Sequence, residues 1–507
     1  MRLIFILVIF ILSLEAKYYN FSEVNNMPTC IEKDYFIWRY LSQSSTSKSQ
    51  AIKIIKGAMR LNSKLKKAYR KKTGHYPKLT KKKTPPATKA QKEAWRQKVE
   101  KSKLVKKSQN PYLTLMKQKA DIQTFIFNSA SKKERKKFNH ILTPAQYKKL
   151  TRSKKFNESI KLIKKENLKY IAKSFLFSPA LNNALTFRTS FDLALNALKY
   201  NKKDIAIIYL GEARKKAYKR EFKDQASFWL FLLTQEKIYL NSLEKSYSVN
   251  IYTLLARDKM RMAYPKTITP NFKKQRIKNF DISNPISWAK LKKKIFNKSL
   301  NKNNLSNKFK SIETIAHYSY VKSVAIKYKK AYYPMPYRSS LSHLSKKRQA
   351  MIYALARQES RFIPASISTS FALGMMQIMP FLVKDIAKQM GEKADYDSMF
   401  NPYNALKYAN HHLNYLDKWL YNPLLVAYAY NGGIGFTKRQ LTQKGRFQNK
   451  KYEPFLSMEL IDAPETREYG KKVLTNYIIY MNKLGVPIRV SNLLKDLKSS
   501  KKVDKFR

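Results

Sequence analysis

The sequence predicts a mostly α-helical protein in which a long N-terminal array of stacked helices leads into an α-rich C-terminal domain. Three observations carry that expectation. Of the 11 glycines, only Gly57, Gly74 and Gly211 precede residue 370, and the other eight fall between Gly374 and Gly485. So long an avoidance of glycine favours continuous helix. Apolar residues recur at helical spacing in Phe191 to Tyr200, Asp204 to Tyr218 and Gln225 to Tyr239, which read as stacked helix pairs. Strand alternation and Asn-Gly hairpin signals are largely missing from this part, and no repeat has a clean period.

Taken in order, Met1-Arg2, the apolar run Leu3 to Leu14 and Ala16 have the layout of a secretory signal over residues 1–16. The run is too short to span a bilayer comfortably, with an uncleaved anchor as the alternative. Cys30 is the one cysteine, so no intrachain disulfide can form and the fold must rely on its core. Residues 17–334 hold the helical array. Within it, Lys64 to Lys107 carries 18 Lys or Arg against two acids and is broken by Pro85-Pro86. It reads as a solvated insertion with little core to offer, or as an anion-binding site. The polar stretch Asn297 to Lys308 reads as a linker or exposed loop. Pro334 and Pro336 mark the start, near 335, of a C-terminal domain over 335–490, and 491–507 form a basic tail.

The net charge of +70 invites a nucleic-acid reading, but an export signal removes the chain from the chromosome. The segment from Ile352 to Gly470 holds 14 basic and 11 acidic residues, so the charge lies elsewhere. A polyanionic surface is the expected partner, such as an anionic membrane surface or acidic cell-wall peptides. His411-His412 are adjacent, not on one helical face, and six histidines with one cysteine form no metal-ligand pattern. Neither a metal nor a cofactor is expected.

The chemistry concentrates between Ala354 and Pro380. Ile352, Leu355, Ala356 and Glu359 recur at helical spacing, so Glu359 continues an apolar stripe and should be partly buried. Pro364 predicts a helix end near Arg361. Burial and the negative end of the helix dipole both favour the protonated carboxyl that a general acid needs. The alternative is a frayed end with Glu359 paired to Arg357 or Arg361. Gly374 and Gly432, Gly433 and Gly435 permit turns that lie close to a ligand. Gln377, Tyr430 and Asn431 offer hydrogen-bonding groups suited to sugar hydroxyls and N-acetyl groups, although Gln377 and Asn431 could equally satisfy turn backbone. Met375, Met376, Ile378 and Met379 read mostly as core, with one methionine on the groove. Asp385, Glu392, Asp395 and Asp397 look like exposed helix and loop residues.

Three motifs resemble the catalytic core of the soluble-type lytic transglycosylases, whose fold is related to goose-type lysozyme. The first is Glu359-Ser360 followed by Ser368 and Gly374-Met375-Met376-Gln377-Ile378-Met379-Pro380, with Met375 in place of the usual Leu. The second is Ala429-Tyr430-Asn431-Gly432-Gly433, with Gly432 replacing Ala. The third is Pro464-Glu465-Thr466-Arg467-Glu468-Tyr469, with Gly470 where Val is common. Ser248 to Met260 also resembles the end of the helical superhelix that precedes the catalytic domain in the larger members. The resemblance implies a superhelical domain followed by a lysozyme-like one. It also implies cleavage of the β-1,4 bond between N-acetylmuramic acid and N-acetylglucosamine of peptidoglycan, without water, to a 1,6-anhydro product in the periplasm. Glu359 would be the catalytic residue. Ser368 and Tyr430 would bind near the N-acetyl group, Gln377 and Met379 would line the groove, and Glu465 would support substrate contact, with Asn431 expected beside them from its amide alone. An ion pair with Arg467 is the alternative for Glu465. A lone acid suits an internal nucleophile, since ordinary glycosidases use two carboxylates. A hydrolytic muramidase on the same fold and a non-catalytic peptidoglycan-binding scaffold are the competing readings.

Overall fold

The computed structural model describes residues 18–77, 88–177, 179, 181 and 184–507. The signal read in residues 1–16, and Pro85-Pro86, lie outside the described residues. Helices dominate, as expected. Among the described residues β pairing is confined to the isolated bridges Ile268–Tyr332, Ile367–Leu373, Leu373–Ile378 and Leu420–Asp504. No described helix is long and apolar enough to cross a membrane. The chain divides into two compact units, each assembled from distant stretches of sequence. One comprises Met1–Lys81, Ile268–Tyr328 and Tyr332–Tyr415, the other Lys82–Thr267, Lys329–Ala331 and Leu416–Arg507.

In the first unit, helix Ile31–Leu41 buries Tyr35, Ile37, Tyr40 and Leu41. Helix Ser63–Thr73 starts where Asn62 Oδ1 accepts the Leu65 N–H at 2.9 Å and stops at Gly74, whose φ of 84° only glycine adopts freely. It buries Leu65, Ala68 and Tyr69, so this part of the basic stretch does supply core. Apolar residues three and four apart lie beneath its lysines. The remainder of that stretch, helix Lys89–Lys107 in the second unit, buries only Val105 and fits the solvated reading. The polar stretch Asn297 to Lys308 is not all loop: Asn301 caps a short helix, Lys302–Asn307, in which Ser306 is buried. Helix Lys346–Glu359 is capped by Ser345 and buries every residue from Gln349 to Ala356.

In the second unit, helices Phe187–Lys199, Lys203–Lys216 and Arg220–Thr234 pack one on the next. The helix expected to run to Tyr239 ends at Thr234, because Gln235 turns left-handed at φ 61° and its N–H bonds to Phe231 O at 2.8 Å. A new helix, Lys237–Glu244, follows. Ile238 and Tyr239 keep the helical spacing across the break, so periodicity alone reads through it. Helices Pro423–Gly432 and Pro464–Lys483 meet at Gly470. A Cβ there would lie 2.2 Å from Tyr428 Cε1. The last residues fold back on this unit: Leu494, Leu497 and Val503 are buried, and Lys505 N–H bonds to Trp419 O at 3.0 Å.

The second unit also contains a buried ionic network. Glu459 accepts hydrogen bonds from Gln225 Nε2 at 2.8 Å and the Tyr252 hydroxyl at 2.6 Å. Lys471 Nζ lies 3.2 Å from Glu459 Oε2 and 3.0 Å from Glu468 Oε1. Burial pushes the Glu459 carboxyl up, but Lys471, Arg467 and the two donated hydrogen bonds outweigh it and hold the pKa at about 2.

Candidate active site

Ser368, Gln377 and Met379 share the first unit with Glu359, whereas Tyr430, Asn431 and Glu465 belong to the second. Glu359 is the last residue of helix Lys346–Glu359 and is half-buried. The helix stops two residues earlier than Pro364 implies, because Arg361 and Phe362 both take left-handed backbone, at φ 58° and 67°. The Phe362 N–H returns to Ala356 O at 3.2 Å while its ring is buried. The Arg361 guanidinium lies 4.9 Å from the Tyr328 ring and 5.6 Å from the Tyr320 ring. This cation–π seating favours the turn.

Ser360 connects the acid to the glycine-methionine turn. Its buried hydroxyl donates to Met375 O at 2.8 Å, so the residue beside Glu359 is fixed to the turn 15 positions later. Gly374 permits that turn twice over: its φ is 71°, and a Cβ would lie 2.0 Å from Met399 O. Leu373 and Ile378 exchange backbone hydrogen bonds at 3.0 Å, and the Gly374 N–H reaches Ser366 O at 2.9 Å. Gln377, at φ 51°, gives its Nε2 hydrogens to Gly374 O at 2.8 Å and Ser366 O at 3.2 Å. Both amide hydrogens are thereby committed to main chain. Ser368 Oγ accepts the Ala372 N–H at 2.9 Å and the Ser370 N–H at 3.2 Å, which orients the hydroxyl hydrogen as a donor. Met375, Met376 and Ile378 are core, while Met379 is half-buried. Arg361, Phe362, Phe371 and Gln377 hold positive φ within 17 residues, and such backbone persists only where packing over-determines it.

That packing comes from residues the motifs do not contain. Phe371, at φ 62°, sits against Trp38 with ring centroids 5.6 Å apart and against Tyr35 at 5.9 Å. Asn62 Nδ2 donates to Thr369 O at 2.9 Å and Lys64 Nζ to Ser370 O at 2.8 Å. Asp397 corrects the expectation of an exposed loop acid. It accepts the Tyr19 and Tyr35 hydroxyls at 2.6 and 2.5 Å and pairs with Arg39 at 3.0 Å, two residues before the Met399 carbonyl that abuts Gly374. Glu392 is likewise engaged, by Lys407 and by the Tyr408 hydroxyl at 3.3 Å. Sequence spacing held no signal for the contacts of Thr369, Ser370, Phe371 and Asp397, since their partners lie more than 300 positions away.

In the second unit, Tyr430 and Asn431 occupy the last turn of helix Pro423–Gly432, and Gly433, at φ 84°, starts helix Ile434–Leu441. Asn431 Oδ1 accepts the Thr466 hydroxyl at 2.7 Å, so the second and third motifs are joined. Gly432 is tighter than a small-for-small exchange suggests: a Cβ would lie 2.8 Å from Phe436 Cδ1 and 3.1 Å from Thr466 Cγ2. Glu465 is exposed in the first turn of helix Pro464–Lys483. Arg467 turns instead to Glu468 Oε1 at 3.3 Å and to the carbonyls of Ile461 at 3.1 Å and Glu459 at 3.3 Å. Among the described residues no group of three or more His, Cys, Asp or Glu could hold a metal ion.

Comparison with known proteins finds a family match over part of this segment. Residues 342–453 match the family model of the transglycosylase SLT domain. A putative soluble lytic murein transglycosylase of Haemophilus influenzae is 36% identical over 93 residues, which are 18% of this chain and 16% of that protein. The match therefore spans about a sixth of the curated relative. Among solved structures, an inactive mutant of the lytic transglycosylase Slt of Pseudomonas aeruginosa aligns with a TM-score of 0.47 at 16% identity, over 90% of this chain and 80% of that one. The 70-kDa soluble lytic transglycosylase of Escherichia coli aligns with 0.43 at 15%, over 96% and 91%. With Glu359, Ser368, Gln377, Met379, Tyr430 and Asn431 all inside the matched segment, and Glu465 beyond it, the chain carries a transglycosylase SLT domain over residues 342–453.

Proposed function

We propose that this chain is an exported lytic transglycosylase that cleaves the β-1,4 bond between N-acetylmuramic acid and N-acetylglucosamine of peptidoglycan, in the periplasm, with Glu359 as both acid and base. The observation that carries the reading is the Ser360–Met375 hydrogen bond of 2.8 Å, because it fixes Glu359, the carboxylate of the first motif, to a turn whose hydrogen bonding leaves a donor at Ser368 and an acceptor at Gln377. In the first step Glu359 gives its proton to the glycosidic oxygen as that bond breaks, and the muramyl N-acetyl oxygen assists at the sugar carbon. In the second, Glu359 takes the proton of the muramyl 6-hydroxyl as that oxygen bonds to the same carbon and displaces the N-acetyl oxygen, closing the 1,6-anhydro ring. Proton and bond counts balance without water.

Ser368 is suited to donate to the N-acetyl carbonyl and Gln377 to accept from a sugar hydroxyl, with Met379 as apolar lining. In the second unit Tyr430, Asn431 and Glu465 are proposed as substrate contacts. The domain order, a helical array over 17–334, then the catalytic domain over 335–490 and the tail 491–507, is part of the same proposal. The test is digestion of purified sacculi by the full chain and by Glu359→Gln, with mass analysis of the fragments. Anhydro-ended products, lost by a factor of about 10² to 10⁴ or more in the variant, are expected. Reducing ends carrying oxygen from labelled water would instead establish a muramidase, and unchanged turnover in the variant would remove Glu359 from the mechanism.

A further inference from the structure

The loop that carries Ser368 is held from a distant stretch of the same unit. Ser368 opens a tight turn: its carbonyl accepts the Phe371 N–H at 2.9 Å, and its Oγ accepts the Ser370 N–H at 3.2 Å and the Ala372 N–H at 2.9 Å. The two peptide groups inside the turn are therefore each fixed at the nitrogen end by Ser368. Their oxygen ends are fixed by two side chains at the start of helix Ser63–Thr73. Thr369 O, on the peptide whose N–H belongs to Ser370, accepts from Asn62 Nδ2 at 2.9 Å. Ser370 O, on the peptide whose N–H belongs to Phe371, accepts from Lys64 Nζ at 2.8 Å. A trans peptide is planar, with its C=O and N–H pointing in opposite directions. Each of the two groups is thus a rigid strut, with Asn62 or Lys64 at one end and Ser368 at the other.

The backbone does not need these partners. Thr369 and Ser370 are exposed, so water would satisfy both carbonyls, and ordering a lysine side chain costs rotamer freedom. What the side chains add is direction. Asn62 is committed at both ends of its amide: Oδ1 caps the helix by taking the Leu65 N–H at 2.9 Å, which turns the NH2 toward Thr369 O. A donor on a C=O also polarises the N–H of the same peptide, so each strut strengthens the bond that Ser368 accepts, most of all the one that starts from an ammonium. With both lone pairs of the Ser368 hydroxyl occupied, its hydrogen has one direction left.

We infer that Asn62 and Lys64 are positioning residues for Ser368: through the Thr369–Ser370 and Ser370–Phe371 peptides they aim its hydroxyl hydrogen. On the transglycosylase reading, on which this role rests, that hydrogen meets the N-acetyl carbonyl of the glycan.

The experiment uses the full chain. Asn62→Asp keeps the helix cap but cannot donate, Lys64→Met keeps the stem without the ammonium, and Lys66→Met, at an exposed lysine on the same helix, matches the charge lost. On soluble glycan, kcat/KM should fall about three- to tenfold in Asn62→Asp and in Lys64→Met, the scale of one hydrogen bond. Lys64→Arg should recover most of the loss, and Lys66→Met should match the parent. In a Ser368→Ala background the same two changes should cost less than about twofold, because the group they aim is gone. Losses fully additive with Ser368→Ala would mean a general loosening of the loop and overturn the proposal, as would unchanged turnover in both single variants. Hydrogen exchange, read by NMR with labelled serine and phenylalanine, gives a second answer that needs no activity: Asn62→Asp should speed exchange at the Ser370 amide, and Lys64→Met at the Phe371 amide. Equal acceleration at both amides in either variant, or none, would overturn the struts. If the parent cleaves no glycan, the transglycosylase reading fails, and the exchange pattern alone then decides whether Asn62 and Lys64 hold Ser368.

Discussion

Trp38 lies against Phe371, with ring centroids 5.6 Å apart and planes 30° from parallel. Helix Ile31–Leu41 thereby braces a loop more than 300 positions later, between Ser368 and the Gly374 turn. Trp38→Ala should lower turnover about 10- to 100-fold, the scale of a small misplacement of reacting groups, with KM little changed and Trp38→Phe restoring most of it. Steady-state kinetics on soluble glycan fragments would read this. A KM rise at unchanged kcat would mean that Trp38 acts on binding instead. For the same reason a fragment beginning at residue 335 should be nearly inactive, because it lacks Tyr19, Tyr35, Trp38, Arg39, Asn62 and Lys64.

Gly470→Val, the residue common in the resembling family, should destabilise the second unit by roughly 3 kcal/mol, since overpacking commonly costs 1–3 kcal/mol and more where backbone must move. The Cβ would sit 2.2 and 2.5 Å from the Tyr428 ring and 3.1 Å from Leu424 Cδ1. Urea unfolding of Gly470→Val and of Gly470→Val with Tyr428→Leu would test the cause. Coupling is expected between the two, with the double variant recovering part of the loss. Additive effects would place the strain elsewhere.

These two contacts mark what the sequence could and could not disclose. Helical periodicity and the glycine map predict the helices around Phe191 to Thr234 and the Gly374 and Gly433 turns, because those depend on local backbone preferences. The motif spacing picks out Glu359, Gln377 and Tyr430, each set by a turn within a few residues. The break at Gln235 is hidden, because Ile238 and Tyr239 keep the apolar period. Asp397 is hidden too: in sequence it sits among loop acids, and its partners Tyr19, Tyr35 and Arg39 arrive only through tertiary packing. Gly470 likewise reads as a mild departure until the Tyr428 ring is seen to fill the place of its side chain.

His317 predicts an acid-labile first unit. It is buried among the rings of Phe280, Phe309 and Trp288, and neither ring nitrogen has a hydrogen-bond partner among the described residues. Burial lowers its pKa from 6.5 to about 3. The neutral ring is therefore the native form: its stability is fully present above pH 6.5 and is lost as pH falls from there toward 3. At pH 5 the loss should be about 2 kcal/mol. His317→Phe should abolish this part of the acid dependence, seen as a smaller fall in unfolding midpoint between pH 7 and pH 5. Equal falls in variant and parent would show that other groups carry the acid sensitivity.

Lys471→Met should be among the most damaging single changes in the second unit, at about 3–5 kcal/mol, because it strands Glu459 as a buried charge. Gln225 and Tyr252 would still donate to the carboxylate, so the pocket cannot simply close on an apolar group. The double variant Lys471→Met with Glu459→Gln should be much closer to the parent, since both charges leave together. The pH dependence supplies an independent sign. In the parent, Glu459 has a pKa of about 2 against the usual 4.5, so its contribution holds above pH 4.5 and is lost as pH falls toward 2. In Lys471→Met the carboxyl pKa rises, because its chief counter-charge is gone, and protonation then relieves the stranded charge. The gap between parent and variant, measured by urea unfolding, should therefore narrow from pH 7 to pH 5. A gap that stays constant would mean that Lys471 contributes packing and not charge, and the ionic account of this network would have to be abandoned.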